Sequence, residues 1–430
     1  MAGAPHITID EQLLQTTASR LAERCYLLAS HSEQPDCLTR TFCSPAMKTA
    51  HRQLGGWMKD AQMDCDLDAV GNMIGKYNAG SKDGDRVFMI GSHLDTVADA
   101  GQFDGVLGVL LGLGVVEVLQ QAGVELAFDM HVIAFSEEEG VRYKFPFIGS
   151  RGITGTFDTR DLDRQDENGI SIKAALNQFG CNTNQLDSAS YAGSNLIGFM
   201  EPHIEQAVSL QDAARPVGVV STIAGQTRAT IVLEGKAGHA GTVSHEFRHD
   251  ALAAAAELIL RIEDLGRQTG GLFATVGDIV AAPGLTNVIC GKAELRLDLR
   301  HESDEHRMAA FETISKCIND ISLSRGVSGS IEAIQHTPAV PMDAELSEHL
   351  HSAITGLGLD SQTLVSGAGH DAMIMAQGVP SCMLFIRCRD GVSHHPDEFV
   401  SKEDMLVALK VMVSALIRLS NAQSQASTHS

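Results

Sequence analysis

The sequence is poor in aromatic rings. Phe, Tyr and Trp make up 5% of its 430 residues, with a single Trp. So few rings argue against a stacking platform for sugars or single strands. Positive charge is short as well: 32 Lys and Arg stand against 54 Asp and Glu, a net charge of −22. That balance argues against nucleic acid or an anionic membrane as partner, because both attract cations. It leaves room for a small anionic substrate, which a few placed cations can hold locally. Long apolar runs are missing too. The longest, Gly105 to Val116, is too short to cross a bilayer and reads as a buried helix. The first residues, MAGAPHITIDEQLLQ, lack a basic stretch followed by an apolar one, so no secretory signal is expected. The nine Cys have no paired or zinc-knuckle spacing, which fits reduced thiols in a cytoplasm.

What is present is an alternation. Residues 11–30 and 45–63 carry helical apolar spacing. Strand-like runs at Val87 to Ile90 and Met130 to Phe135 flank an apolar helix over 105–121. Short apolar strands alternating with helices predict an α/β domain on a mixed, mostly parallel sheet. Its Gly108, Gly112 and Gly114 lack the strand–GxGxxG–helix order of a nucleotide loop and read as close helix packing.

A second pattern fills the middle of the chain. A strand at 228–233, an Ala-rich helix at 245–265, strands at 272–281 and 288–299, a helix at 303–324 and a strand near 328–335 follow in turn. This β-α-β-β-α-β order predicts an inserted α+β, ferredoxin-like domain. Ala293, Leu295, Leu297 and Leu299 alternate with charged residues, as a half-buried strand requires. The expected organisation is therefore residues 1–214 with 330–430 as one domain and 215–329 as the insert. A last helix is expected at 402–420, with a disordered tail SNAQSQASTHS.

Histidine and carboxylate residues gather where the first-type strands end. His93 and Asp95 lie in GSHLDT after one strand, and Asp104 follows in GQFDG. Glu137, Glu138 and Glu139 follow the next strand. Further on come Glu201-Pro-His-Ile-Glu-Gln and Val392-Ser-His-His-Pro. Open α/β sheets place their ligands at such strand ends. One histidine or one acidic triplet is more often a solvated loop; five such segments together point to a site. Imidazole and carboxylate without Cys suit Zn²⁺, Mn²⁺ or a related divalent ion. A bridging carboxylate would let two such ions clamp a water, and Glu138 with Glu139 offers one base and one ligand. No GxSxG elbow supports a serine nucleophile.

The stretches GSHLDTVADAGQFDG, FSEEEGVRY, IGSRGITG, EPHIEQ, GKAGHAGT, RHDAL, NVI, SGAGHDAM and GVSHHPDEF run in order from about residue 90 to 400. Together they resemble the hydantoinase/carbamoylase (ureidohydrolase) branch of the dinuclear-metal aminoacylase and peptidase superfamily. The resemblance implies His93 and His203 on one metal, Glu139 and His394 on the other, and Asp104 between them. It implies Glu138 as general base and Asp95 as the partner that orients His93. His239 would reach into the site of a second subunit to polarise the scissile carbonyl, in a homodimer formed through the insert, which would also act as a lid. Gln206, Asn287 and Arg300 would contact the substrate. Pro202, Ala207, Val243-Ser-His and His395 depart from the branch's pattern, and His395 competes with His394 as ligand.

VADAG before Phe103-Asp104 and LFIRCRDGVSH near the end are most similar to the allantoate amidohydrolases of that branch. This implies cleavage of a ureido C–N bond on a small carboxylate in the cytoplasm, giving ureidoglycine, ammonia and carbon dioxide in purine-ureide nitrogen salvage. Arg387 or Arg389 would add a carboxylate contact, and His370 a contact beside the pocket. The alternative is an N-carbamoyl-L-amino acid hydrolase or β-ureidopropionase. A dipeptidase or aminoacylase is disfavoured by His203, and a silent binding protein by the intact Glu138.

Overall fold

The computed structural model describes residues 9–79 and 86–427. Residues 1–8, part of the stretch read for a signal, and 428–430 of the tail lie outside them. The chain forms two compact units. One takes the chain up to Ser221, Met342–Leu364 and the chain from His370; the other takes Thr222–Pro341 and Val365–Gly369.

The first unit is built on a mixed sheet. Four strands at its centre run parallel, in the order Asp129–Phe135, Val87–His93, Leu196–Ile204 and Ser381–Ile386. Met73–Tyr77 and Asp64–Leu67 extend one side antiparallel, and Val217–Ile223 extends the other. Parallel strands bury both faces, and the central ones are apolar nearly throughout. Their shared direction brings His93 level with Phe135, and His203 level with Phe385, at one edge.

Helix Val106–Gln121 lies against these strands and packs on helix Glu11–Ala29 and the C-terminal helix Lys402–Ser427. Gly108 permits that approach, since a Cβ there would fall 2.1 Å from the Pro202 carbonyl oxygen. Asp10 and Ser44 cap the first two helices by accepting main-chain N–H bonds from Gln12 and Met47. The C-terminal helix runs through Ser427, so most of the tail read as disordered is helical. It is also the one helix among the described residues long and apolar enough to cross a membrane, by length and composition alone. It serves instead as a core helix, with Met405, Leu409, Met412 and Leu416 buried.

The second unit has four antiparallel strands in the order Ser328–Thr337, Gly225–Glu234, Lys292–His301 and Phe273–Ala282. Helices Ala251–Gln268 and Asp304–Arg325 pack on it. Ala293, Leu295, Leu297 and Leu299 point into a core shared with Leu258, Ile262, Ile314 and Ile318. The boundaries differ from those read in the sequence. Ser328–Thr337 pairs along its length with Gly225–Glu234, so a cut at 329 would split a strand from its own sheet.

Candidate dinuclear metal centre

Each sequence segment delivers its side chain to the strand-end edge of the first unit. His93 closes its strand, and its ring is 2% exposed. His93 Nδ1 lies 2.9 Å from the Asp95 carbonyl oxygen, and His203 Nδ1 lies 2.9 Å from that of Ile204. A carbonyl only accepts, so both rings carry their proton on Nδ1. Each therefore turns Nε2 toward the site.

Asp104 receives both. Its Oδ1 lies 3.1 Å from His203 Nε2 and 3.6 Å from His93 Nε2, while its Oδ2 lies 3.2 Å from His394 Nε2. One carboxylate thus faces two sets of nitrogen donors with its two oxygens. Glu139 Oε1 is 3.7 Å from His394 Nε2, and Glu138 Oε2 is 3.9 Å from His93 Nε2. Among the described residues, His93/Asp104/His203, His93/Glu138/Glu139 and Asp104/Glu139/His394 each bring donor atoms within 4.8 Å of one another.

The glutamate triplet divides two ways. Glu137, at φ +52°, turns inward, and its Oε1 accepts N–H bonds from Arg142 and Tyr143. Glu138 and Glu139 turn outward into the cluster. Asp95 anchors them by accepting their main-chain N–H groups, one on each oxygen, at 3.2 and 3.0 Å. Asp95 meets His93 through its main-chain carbonyl oxygen, while its carboxylate stays 3.8 Å from His93 Nδ1.

Gln206 Nε2 donates to Asp104 Oδ2 at 3.0 Å and to Ser393 Oγ at 3.1 Å, which places it beside the cluster. His395 accepts the Asp397 N–H and is exposed, which leaves His394 as the histidine of that pair in the cluster. Arg387 forks onto Asp404, and Arg389 lies over the Phe399 ring. His370 is buried, with its ring 4.3 Å from that of His203.

The structure adds residues not singled out in the sequence. Glu398 Oε1 accepts the N–H groups of Phe103 and Asp104, and its Oε2 lies 3.1 Å from Ser393 Oγ. Glu201 takes the Ser92 hydroxyl on one oxygen and the Ala372 N–H on the other. Spacing held a signal for both: Glu201 shares a strand face with His203, and Glu398 sits four residues beyond His394.

Burial sets the electrostatics. It pushes the Glu138 carboxyl well above its ordinary range against the pull of His93, with Glu139 and Asp371 adding to the rise. Burial likewise pushes Glu139 and Glu398 up to about 7. Although burial disfavours its charged form, His93 is raised well above its usual value by Glu138, Asp104 and Asp95. Burial also opposes ionisation of Asp104, yet hydrogen bonds from His203, His394 and His93 hold it well below. So many buried carboxylates are costly without cations among them. Nitrogen and oxygen donors without sulfur fit divalent ions.

His239, Asn287 and Arg300 belong to the second unit. His239 pairs with Val288 across a short ladder, beside Asn287. Arg300 lies near the far end of strand Lys292–His301, where it forks onto Asp298 and donates to the Gly367 carbonyl oxygen.

Comparison with known proteins gives this geometry a family. A probable allantoate deiminase of Oryza sativa subsp. japonica is 35% identical over 437 residues, covering 94% of this chain and 88% of that protein. An N-carbamoyl-L-amino acid amidohydrolase of Geobacillus stearothermophilus is 35% identical over 405 residues, covering 94% and 99%. The crystal structure of a hydantoinase/carbamoylase-family amidase from Burkholderia multivorans superposes with a TM-score of 0.89 at 28% identity, covering 97% of this chain and 99% of that one. The pattern of peptidase family M20/M25/M40 matches residues 89–418, and the chain belongs to that family.

Proposed function

We propose that the protein hydrolyses the ureido C–N bond of allantoate, releasing ureidoglycine, ammonia and carbon dioxide. The observation that carries the chemistry is Asp104, whose Oδ1 faces His93 and His203 and whose Oδ2 faces His394, with Glu138 alongside. The substrate class is supported by the relatives named for ureido-group hydrolysis. His93, His203 and Asp104 would hold one divalent cation, and Asp104, Glu139 and His394 a second, both manganese or zinc. When bound, the two cations supply charge that polarises the scissile carbonyl and acidifies the attacking water.

The chain's own residues do the rest. Glu138 takes the water's proton and returns it to the leaving nitrogen. The carbamic acid released with the amine falls apart to ammonia and carbon dioxide. His239 of a second subunit donates to the carbonyl oxygen as charge develops there. Arg300 and Asn287 hold the substrate carboxylate. The second unit acts as a ferredoxin-like lid and dimerisation domain, and the enzyme works as a cytoplasmic homodimer.

An ammonia-release assay on the Mn²⁺- or Zn²⁺-loaded protein tests this, with allantoate, N-carbamoyl-L-amino acids, ureidopropionate and a dipeptide compared side by side. Allantoate turnover above the others is the expected result. Ammonia from a carbamoyl amino acid alone would move the protein to that activity, and peptide cleavage alone would overturn the ureido reading.

A further inference from the structure

His239 sits in a tight turn that uses its imidazole as a structural part. The Thr242 and Val243 N–H groups both point at the His239 carbonyl oxygen, at 3.3 and 3.2 Å. The Gly241 N–H donates to His239 Nδ1 at 3.1 Å. A main-chain N–H only donates, so Nδ1 is the acceptor and the neutral ring carries its proton on Nε2. That is the tautomer able to donate a hydrogen bond outward.

Two carbonyls of the turn, those of Ala240 and Val243, are taken up by one side chain. Arg248 donates Nη2 to the Ala240 oxygen at 2.6 Å and Nε to the Val243 oxygen at 3.0 Å. Its forked donors span the turn as a single-point cation could not. Arg248 is itself tied to the body of the unit. The next residue, His249, accepts the Lys236 N–H on its carbonyl, and Asp250 caps helix Ala251–Gln268 through the Leu252 and Ala253 N–H groups. The Ala240 N–H reaches the Asn287 carbonyl, which fixes the turn against the neighbouring segment.

We propose that Arg248 is a positioning residue that fixes the His239 turn, and with it the Nε2–H tautomer, for carbonyl polarisation. This rests on the role given to His239 above. Arg248 would touch no substrate; it would act through His239, so its loss should appear in kcat and not in KM.

The test compares H239A, R248A, R248K and the double variant H239A/R248A in allantoate turnover, with metal content and melting temperature recorded for each. H239A is expected to lower kcat about 10²–10³-fold, as for removal of one oxyanion donor. R248A should lower kcat about ten-fold or more with KM and metal content unchanged, and R248K should not restore it. The double variant should be no slower than H239A. Millimolar guanidinium should raise the kcat of R248A, where methylammonium does not. Nitrogen NMR of His239 should show protonated Nε2 in the native protein and a mixed tautomer in R248K, a readout that holds even where R248A folds poorly. A fall in H239A with R248A unaffected overturns the Arg248 inference alone. A double variant slower than H239A by the full R248A factor overturns it too. Full activity in H239A overturns the role of His239 and the inference with it.

Discussion

The two halves of the histidine–carboxylate cluster are built differently. Around Asp104 Oδ1, His93 and His203 are almost wholly buried, at 2% and 1%, and each ring is locked by a main-chain carbonyl. Around Asp104 Oδ2, His394 is 50% exposed and its backbone takes a left-handed φ of +55°. The hydrogen bonds on that side run among side chains, from Gln206 and Ser393 to Asp104. A donor fixed by backbone keeps its place as the site fills and empties, whereas one fixed by side chains on the surface can yield. The buried half is thus suited to hold a cation and the open half to exchange one.

Glu138 belongs to the buried half, close to His93 but outside the pairs that face Asp104. Glu138→Gln should keep both cations while kcat falls about 10²–10⁴-fold, the usual worth of a placed base. Turnover and metal per chain, measured together, decide it; metal loss would make Glu138 a ligand. The next largest effect should separate the halves directly. His203→Ala removes a buried nitrogen donor and leaves Asp104 Oδ1 under-compensated, whereas His394→Ala removes one that water can replace. After dialysis, His203→Ala should retain less metal than His394→Ala. Equal retention would end the distinction between the halves.

The buried half was also the more legible in sequence. Apolar runs of fixed period end in His93, in Ser136 before the glutamates, and near His203, so a strand end announces itself where the pattern turns polar. The helices and strands of the second unit were readable for the same reason, since Ala293 to Leu299 alternate along one strand. The open half depends on loops, whose geometry has no period. Nothing in Val392-Ser-His-His-Pro says that His394 turns inward and His395 outward; a positive φ at His394 decides it. The partner of Arg387, Asp404, was not legible either, since it sits 17 residues on at the start of a helix. The strand near 328–335 was legible as the insert's last, and its pairing along 328–337 carries the insert past the expected edge at 329.

Gly105 sharpens the comparison from the buried side. Its φ is +66°, and an added Cβ would fall 2.5 Å from His93 Nε2, the atom that faces Asp104. Gly105→Ala should therefore disturb the buried half first. Spectroscopic titration of the metal-free protein with Co²⁺ should show its tighter step weakened and the looser one kept. Loss of the looser step alone would contradict the assignment.

The smallest effect should come from Ser393→Ala, on the open side. The Ser393 hydroxyl lies 3.0 Å from Asp104 Oδ2 and 3.1 Å from Glu398 Oε2. Removing it leaves Glu398 Oε1 on the Phe103 and Asp104 N–H groups, so the main chain that carries Asp104 stays put. It leaves Oδ1 facing His93 and His203 as before. Of the two Asp104 oxygens, only Oδ2 loses a neighbour that fixes its direction, and Gln206 still donates to it. Losing one outer hydrogen bond to a ligand typically weakens metal binding by about ten-fold or somewhat more. The looser step of the Co²⁺ titration should shift by that amount while the tighter one stays. Equal weakening of both would mean that Asp104 responds as one rigid unit, and the two halves would have to be treated as a single site.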